Sequence, residues 1–246
     1  MQYGPDGIGG VVNALTKAPM TYGEGVQYFG RGFYRFASAE DSHIARGEFG
    51  LTIDETFGIM VGATGKWFGD LEGGQDTGEM PNTGYDEWDV DVKAEYYFDP
   101  DAKLVFGYQR VQQNNVPRTH STVDSKSFAG TTIGTDLRRD LDQDRQLAYL
   151  QFHSENIDGF INAVHVSVSW QQQEEVQDRI RVGRRDLDGF TVDTYGLWFQ
   201  LESDTAIGYW TYGLDYYHDE VDSFSLRNGV TDSVQGPIGD EASYDL

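Results

Sequence analysis

The stretch 88–98 reads Trp-Asp-Val-Asp-Val-Lys-Ala-Glu-Tyr-Tyr-Phe, and it decides the fold class that we predict for this chain. Apolar side chains occupy every second position, at Trp88, Val90, Val92, Ala94, Tyr96 and Phe98. The intervening positions are mostly charged: Asp89, Asp91, Lys93, Glu95 and Tyr97. Because successive side chains of a strand point to opposite faces, this alternation predicts a β-strand with one apolar and one polar face.

The period of two recurs along the whole chain, whereas the helical period of 3.6 is almost absent. We predict about nine strands of this kind, near 26–36, 45–51, 57–64, 88–98, 104–109, 147–153, 164–171, 195–202 and 206–217. The sequence therefore predicts an all-β, antiparallel, up-and-down fold.

The connections between these strands alternate in length. Short ones, rich in turn residues, lie near 52–56, 99–102, 156–159 and 203–205, and the first connection, 38–42, is also short. Long ones lie near 69–85, 115–143 and 172–190. Because loops beyond about 12–15 residues are uncommon in compact domains, three at the same end indicate a transmembrane barrel with long outer loops and tight periplasmic turns.

Composition restricts the function. The chain has 246 residues with 18 Lys+Arg and 41 Asp+Glu, a net charge of −23. This charge argues against a nucleic-acid partner and against docking on an anionic leaflet. With no Cys there is no disulfide or thiolate site, and the 14% aromatic content argues against disorder. The sequence contains no apolar run of 18 residues and no recognisable secretory signal.

A soluble β-sandwich also alternates, and two features favour the barrel over it. Aromatic residues cluster near the strand ends on faces that we interpret as apolar: Trp88, Tyr96, Phe98, Trp170, Trp198, Trp210 and Tyr216. The opposite faces are highly charged, with Arg31, Arg35, Asp89, Asp91, Lys93 and Glu95. Aromatic girdles and a polar interior are typical of outer-membrane barrels.

Residues 3–17 read Tyr-Gly-Pro-Asp-Gly-Ile-Gly-Gly-Val-Val-Asn-Ala-Leu-Thr-Lys, a glycine-rich turn followed by a short strand. The segment resembles the end of the plug domain of TonB-dependent outer-membrane receptors. The positions that carry the resemblance are Tyr3, Gly4, Gly9, Gly10, Val11, Val12, Asn13, Thr16 and Lys17. A weaker likeness to receptors for haem or siderophores covers 116–120 and 134–139.

The resemblance implies a receptor that carries a scarce nutrient, an iron complex such as a ferric siderophore or haem, across the bacterial outer membrane. Its partners would be outer-membrane lipid, the iron carrier and the TonB complex of the inner membrane, which supplies the energy. The family's coupling box, most of its plug and its last strands have no counterpart here. We therefore expect a fragment, with 1–19 the end of the plug and 20–246 the first nine or so strands of an open, partial barrel of 22 strands.

No enzyme site, metal site or cofactor site stands out in the sequence. The few basic groups in the predicted outer loops are candidate contacts for an anionic carrier: Arg118, His120, Arg138, Arg139, Arg184 and Arg185. The alternative is that they pair with Asp136, Asp140, Asp186 and Asp188 beside them.

Other candidate sites and functions stay open. His153 and His165 could meet on the polar face, and the acidic stretches 70–79 and 219–222 could hold Ca²⁺, although neither has a calcium-loop motif. The rival functions are a passive porin-like barrel and a soluble β-sandwich that binds carbohydrate.

Overall fold

The computed structural model describes residues 16–19, 23–74, 77–127, 130, 132–231 and 241–245. These residues form β-strands and one 3-10 helix, Thr119–Ser121, without any α-helix. The strands are β1 (Val26–Ala37), β2 (Ser42–Ile53), β3 (Phe57–Phe68), β4 (Leu71–Gly73), β5 (Gly78–Met80), β6 (Tyr85–Asp99), β7 (Ala102–Pro117), β8 (Arg138–Ser154), β9 (Ala163–Arg181), β10 (Arg184–Thr205), β11 (Gly208–Arg227), β12 (Val230–Thr231) and β13 (Ala242–Asp245). The all-β prediction is confirmed.

One antiparallel sheet contains eleven of these strands, and its order follows the chain: β1-β2-β3-β6-β7-β8-β9-β10-β11. The short β12 and β13 both pair with β11, and β4 pairs only with β5 in a small separate hairpin. Each of the nine predicted segments lies within one of the long strands, apart from residues 206–207, which form the turn before β11. Across the described residues the sheet is open, with β1 at one edge and β11 near the other. The up-and-down prediction is therefore confirmed.

The connections divide the sheet into two ends. One end, which we call the turn end, holds the connections 54–56, 100–101, 155–162 and 206–207. At 54–56, Asp54 and Glu55 take φ values of 46° and 56°, which form the tight turn that the twist of a hairpin favours. The other end, the loop end, holds the connections 38–41, 69–84, 118–137, 182–183 and 228–229.

The predicted long loop at 172–190 is wrong. Its residues belong to β9 and β10, which meet in a two-residue turn where Gly183 takes a φ of 72°. Both faces of this hairpin are polar, so hydropathy gave no sign of a strand. Backbone pairing between β9 and β10 and cross-strand ion pairs stabilise the hairpin. For example, Arg185 Nε donates to Asp178 Oδ1 at 2.9 Å. The predicted loop 115–143 is also too long, because β7 extends to Pro117 and β8 begins at Arg138.

Register assigns every strand residue to one of two faces, because directly paired residues share a face. Arg31, Glu48, Asp91, Gln109 and His165 lie on what we call the polar face. Leu104, Val92 and Val166 lie on the opposite, apolar face, as the sequence predicted. Trp198 was assigned to the apolar face, and this assignment is wrong. It pairs with Ser167 and Asp215 on the polar face, because Tyr195, Leu197 and Phe199 set the apolar phase of β10.

The charged face of this sheet is the more buried one. Glu95 is 4% exposed and Glu87 9% exposed, and Met60, Val105 and Val221 are buried on the same face. On the apolar face, Tyr28 is 70% exposed and Leu214 60% exposed. This arrangement is the reverse of a sheet that packs its apolar face into a water-soluble core.

Candidate functional site

The two arginine doublets of the sequence are divided between the faces by the strand period. In the first doublet, Arg138 extends on the apolar side and donates to Asp140 and, at 3.0 Å, to Asn115 Oδ1. Arg139 lies on the polar face, directly opposite Arg179, and its Nε donates to Gln177 Oε1 at 2.5 Å. Of these two arginines, only Arg139 therefore lies on the polar face of the sheet.

The second doublet is divided in the same way. Arg185 forms a two-bond pair with Asp178, at 2.9 and 3.0 Å, on the apolar side. Arg184 lies on the polar face and donates to Asp186 Oδ1 at 2.5 Å. The same carboxylate also accepts a hydrogen bond from Arg181, and Arg227 approaches it at 3.8 Å.

Asp136 anchors the connection 118–137 to the sheet. Its carboxylate, 1% exposed, accepts from Arg179 Nε at 2.9 Å and from Nη2 at 3.0 Å, and its backbone N–H donates to Ser121 O at 3.0 Å. Burial opposes ionisation of this carboxyl. The hydrogen bonds from Arg179 and Ser121, with the charges of Arg179 and Arg181, outweigh burial and hold the pKa of Asp136 below its usual value.

These residues form one basic cluster, which we call the loop-end cluster. It comprises five arginines on the polar face, Arg139, Arg179, Arg181, Arg184 and Arg227, with three carboxylates among them, Asp136, Asp186 and Asp188. The cluster has an excess of positive charge in a chain of net charge −23. Among its carboxylates, Asp136 and Asp186 are both buried. Such an arrangement can bind an anion through arginine hydrogen bonds.

The structure brings only some of the predicted contacts into this cluster. Arg139 and Arg184 belong to it, whereas Arg138 and Arg185 are on the other side of the sheet. Arg118 and His120 are exposed beside it, where the Arg118 N–H donates to Arg139 O at 2.7 Å. The alternative of pairing with neighbouring carboxylates is confirmed for Arg138 with Asp140 and for Arg184 with Asp186.

Arg179, Arg181 and Arg227 were not among the site residues predicted from the sequence. The first two lie in the segment interpreted as a loop, where a strand period was not applied. Had 182–183 been recognised as a hairpin turn, position parity would have placed Arg179 and Arg181 on the face of Arg184.

A cleft of about 270 Å³ adjoins the loop-end cluster. Arg138, Arg139 and Asp140 line it together with Pro117 and Thr122, and residues of the connection 69–84 form its far side. The two connections are joined, because Asn82 Nδ2 donates to Asp124 Oδ2 at 2.9 Å and Lys126 Nζ donates to Thr77 O at 2.7 Å. The loop end therefore presents a shaped, polar cleft.

Asp70 fixes the far side of this cleft. Its carboxylate accepts backbone N–H groups of Thr83 at 2.8 Å, Gly84 at 3.0 Å and Asn82 at 3.1 Å. These hydrogen bonds lower the pKa of Asp70, and the bond from Thr83 has the largest effect. The backbone of residues 82–84 therefore satisfies the carboxylate of Asp70. Within the described part of the chain, no group of three or more His, Asp or Glu is placed to hold a metal ion.

A second polar site lies midway along the polar face and contacts the end of the plug-like motif. Lys17 Nζ donates to Glu48 Oε1 at 3.0 Å, and Lys93 Nζ donates to Thr16 Oγ1 at 3.3 Å. Arg46 is 2.7 Å from Asp91 Oδ1 on the same face. The other motif residues, Tyr3, Gly4, Gly9, Gly10, Val11, Val12 and Asn13, lie outside the described residues.

Comparison of the sequence with models of known protein families finds no match, and the curated proteins also include no match to it. Among the described residues, no helix is long and apolar enough to cross a membrane.

Proposed function

We propose that this chain is part of a TonB-dependent receptor of the bacterial outer membrane that imports an iron complex. In this proposal residues 1–19 are the end of the plug, and 20–246 are the first part of a transmembrane β-barrel of about 22 strands. Its role is transport, energised by TonB, and involves no catalysis.

The observation that carries the proposal is the reversed polarity of the sheet. Exposed apolar side chains form a band between two aromatic rows: Tyr34, Trp67, Trp88, Tyr108, Trp170, Tyr195 and Tyr216 towards the loop end, and Tyr28, Phe57, Tyr96, Phe98 and Trp210 towards the turn end. Lipid would cover this band, whereas the charged face would line an aqueous lumen.

On β6 the two aromatic rows are far enough apart to match a membrane, whereas on β11 the row residues Trp210 and Tyr216 are six residues apart. Trp88 and Phe98 are ten residues apart on β6, which is about 34 Å along the strand at ~3.4 Å per residue. At the strand tilt of about 40° that such barrels show, this is about 26 Å in height, close to the ~25 Å apolar band of outer-membrane proteins.

Contacts of the segment 16–19 support a plug in preference to a passive porin. A plug fills the lumen, so its last residues would meet the polar face of the first strands. Lys17 meets Glu48 of β2, and Thr16 meets Lys93 of β6, on that face. A porin has no such segment before its first strand.

The loop-end cluster supports an anionic cargo such as a ferric siderophore or haem. In the proposed orientation the loop end faces outside the cell and the turn end faces the periplasm. Arginines on the polar face would then meet a ligand as it enters the lumen, and their fixed forks suit carboxylate or other oxyanion groups.

Uptake under iron limitation tests the proposal. Cells that carry the whole receptor of which this chain is proposed to be part should grow with haem or a ferric siderophore as the sole iron source, and growth should be lost in cells without TonB. Arg139→Ala should reduce uptake about 10-fold or more, since one charge-assisted hydrogen bond is worth about 1.5–3 kcal/mol. Arg185→Ala is the matched control and should leave uptake unchanged, because Arg185 pairs with Asp178 on the apolar side of the sheet, away from the cleft. Uptake that is independent of TonB would contradict the proposal.

A further inference from the structure

We infer that His153 and His165 form a binding site for a transition-metal ion on the polar face, near the turn end. This inference goes beyond the proposed transport function and does not depend on it. The two residues are directly opposite each other on β8 and β9, and their Nδ1 atoms are 2.9 Å apart.

The geometry of the pair places two nitrogen donors at one point. In the neutral pair one Nδ1–H donates and the other Nδ1 accepts, so both nitrogens face the same space between the rings. Two adjacent ligands at ~2.0–2.1 Å need an N···N separation of about 2.8–3.0 Å in the tetragonal geometry of Cu²⁺ and about 3.3–3.4 Å in the tetrahedral geometry of Zn²⁺. The pair can therefore take Cu²⁺ in place of the shared proton with little movement, and Zn²⁺ after it opens by about half an ångström.

Glu202 and Trp198 lie beside His165. Glu202 Oε1 is 3.9 Å from His165 Nε2, beyond hydrogen-bond distance, and adds a negative charge close to the pair. Glu202 is itself held by Gln200 Nε2 at 2.9 Å. The Trp198 ring is stacked on His165, with centroids 6.3 Å apart.

The charge around the pair permits a cation. Lys103 is directly opposite His153 on β7, but its ammonium lies over the Tyr97 ring, 5.6 Å from the centroid. Glu202 lies close to His165, and Glu155 follows β8 at the turn end. Imidazole pairs suit Zn²⁺, Ni²⁺ and most strongly Cu²⁺. With two protein ligands the site would leave other positions to water, so its metal should exchange freely.

Copper binding tests this inference. Cu²⁺ is titrated into the full chain in detergent, with circular dichroism to verify the β-structure, and the bound ion is examined by electron paramagnetic resonance. We expect one Cu²⁺ per chain with hyperfine splitting from two imidazole nitrogens. Splitting from one nitrogen, or from none, would overturn the site without the need for any variant.

Variants identify the ligands. Loss of an outer-shell partner typically costs about 10–100-fold in metal affinity. Loss of a direct ligand should cost at least as much, so we expect about 100-fold weaker binding in His153→Ala and in His165→Ala. His218→Ala is the matched control, because His218 pairs with Asp245 at 2.7 Å as a single imidazole on the apolar side. Equal losses in the control would overturn the assignment.

Discussion

Asp136 shows how a single buried carboxylate organises the loop end. It binds the Arg179 guanidinium through two hydrogen bonds and is linked through its backbone to Ser121. An ion pair therefore helps to hold the connection 118–137 on the sheet, and the stability of this connection should depend on pH.

Because the pKa of Asp136 is lowered in the folded chain, ionisation and folding favour each other. Its contribution is complete above the usual aspartate pKa of about 3.9 and is lost as the pH falls through the lowered value. Asp136→Asn should make the connection open to protease at neutral pH and remove this part of the acid response. Removing one partner of a buried pair costs about 3–5 kcal/mol, and we expect about 2 here because Arg179 remains 32% exposed.

Asp140→Asn is the control for this prediction, since Asp140 pairs with the exposed Arg138 and should contribute at most about 1 kcal/mol. Limited proteolysis between pH 3 and pH 7 measures both variants. If the two variants are cleaved at equal rates, Asp136 is not the anchor.

Individual site residues were only partly predictable from the sequence. The strand period correctly placed His165 and Asp91 on one face, because the residues that alternate with them in the same strands are clearly apolar. It could not find Arg179 and Arg181, because β9 is polar on both faces above the apolar band. Their positions follow from register with β10, which the sequence does not state.

At the scale of the strand, the two faces of β9 make the sharpest contrast. Val166 lies on the apolar face between Phe152 and Phe199, and Ser167 lies on the polar face between Gln151 and Trp198. In the membrane orientation proposed here, these neighbours in sequence would meet lipid and lumen, respectively.

Val166→Arg should therefore destabilise the folded protein by about 2–4 kcal/mol, as arginine does near the midplane of outer-membrane barrels, and Ser167→Arg should cost much less. Heat-modifiable gel mobility in detergent measures the folded fraction of each. Equal losses would mean that the faces are not in different environments.

The strands themselves were largely predictable, whereas their ends were not. Alternation gave the existence and order of all nine long strands, because each contains a stretch with one apolar face. Beyond that stretch, β9 and β10 continue to 19 and 22 residues with charge on both faces, where hydropathy gives no periodic signal. Cross-strand hydrogen bonds and ion pairs determine the ends of those strands.

At the scale of the whole molecule, the open sheet presents two edges. β1 pairs with β2 alone among the described residues, and residues 208–217 of β11 pair with β10 alone. Unpaired backbone groups cannot be tolerated in hydrocarbon, so in a membrane these edges would need further strands. In isolation they would recruit other chains.

The isolated chain should therefore self-associate in detergent, through edge pairing, while it retains β-structure. Size exclusion over a range of concentrations, with circular dichroism on the same fractions, measures this. A monodisperse monomer in water without detergent would contradict the membrane assignment and favour the soluble sandwich.

The central claim is that lipid covers the apolar face and that the polar face is shielded from it. The five tryptophans test this directly, because Trp67, Trp88, Trp170 and Trp210 lie on the apolar face and Trp198 lies on the polar face. Self-association through the edge strands would leave the two faces of the sheet uncovered, so the test applies to the associated chain as well.

Fluorescence quenching by brominated lipid measures the environment of each ring, in single-tryptophan variants reconstituted in vesicles with the other four changed to Phe. We predict strong quenching of Trp88 and Trp170 and little quenching of Trp198. Equal quenching of Trp170 and Trp198, or none at either, would contradict the account.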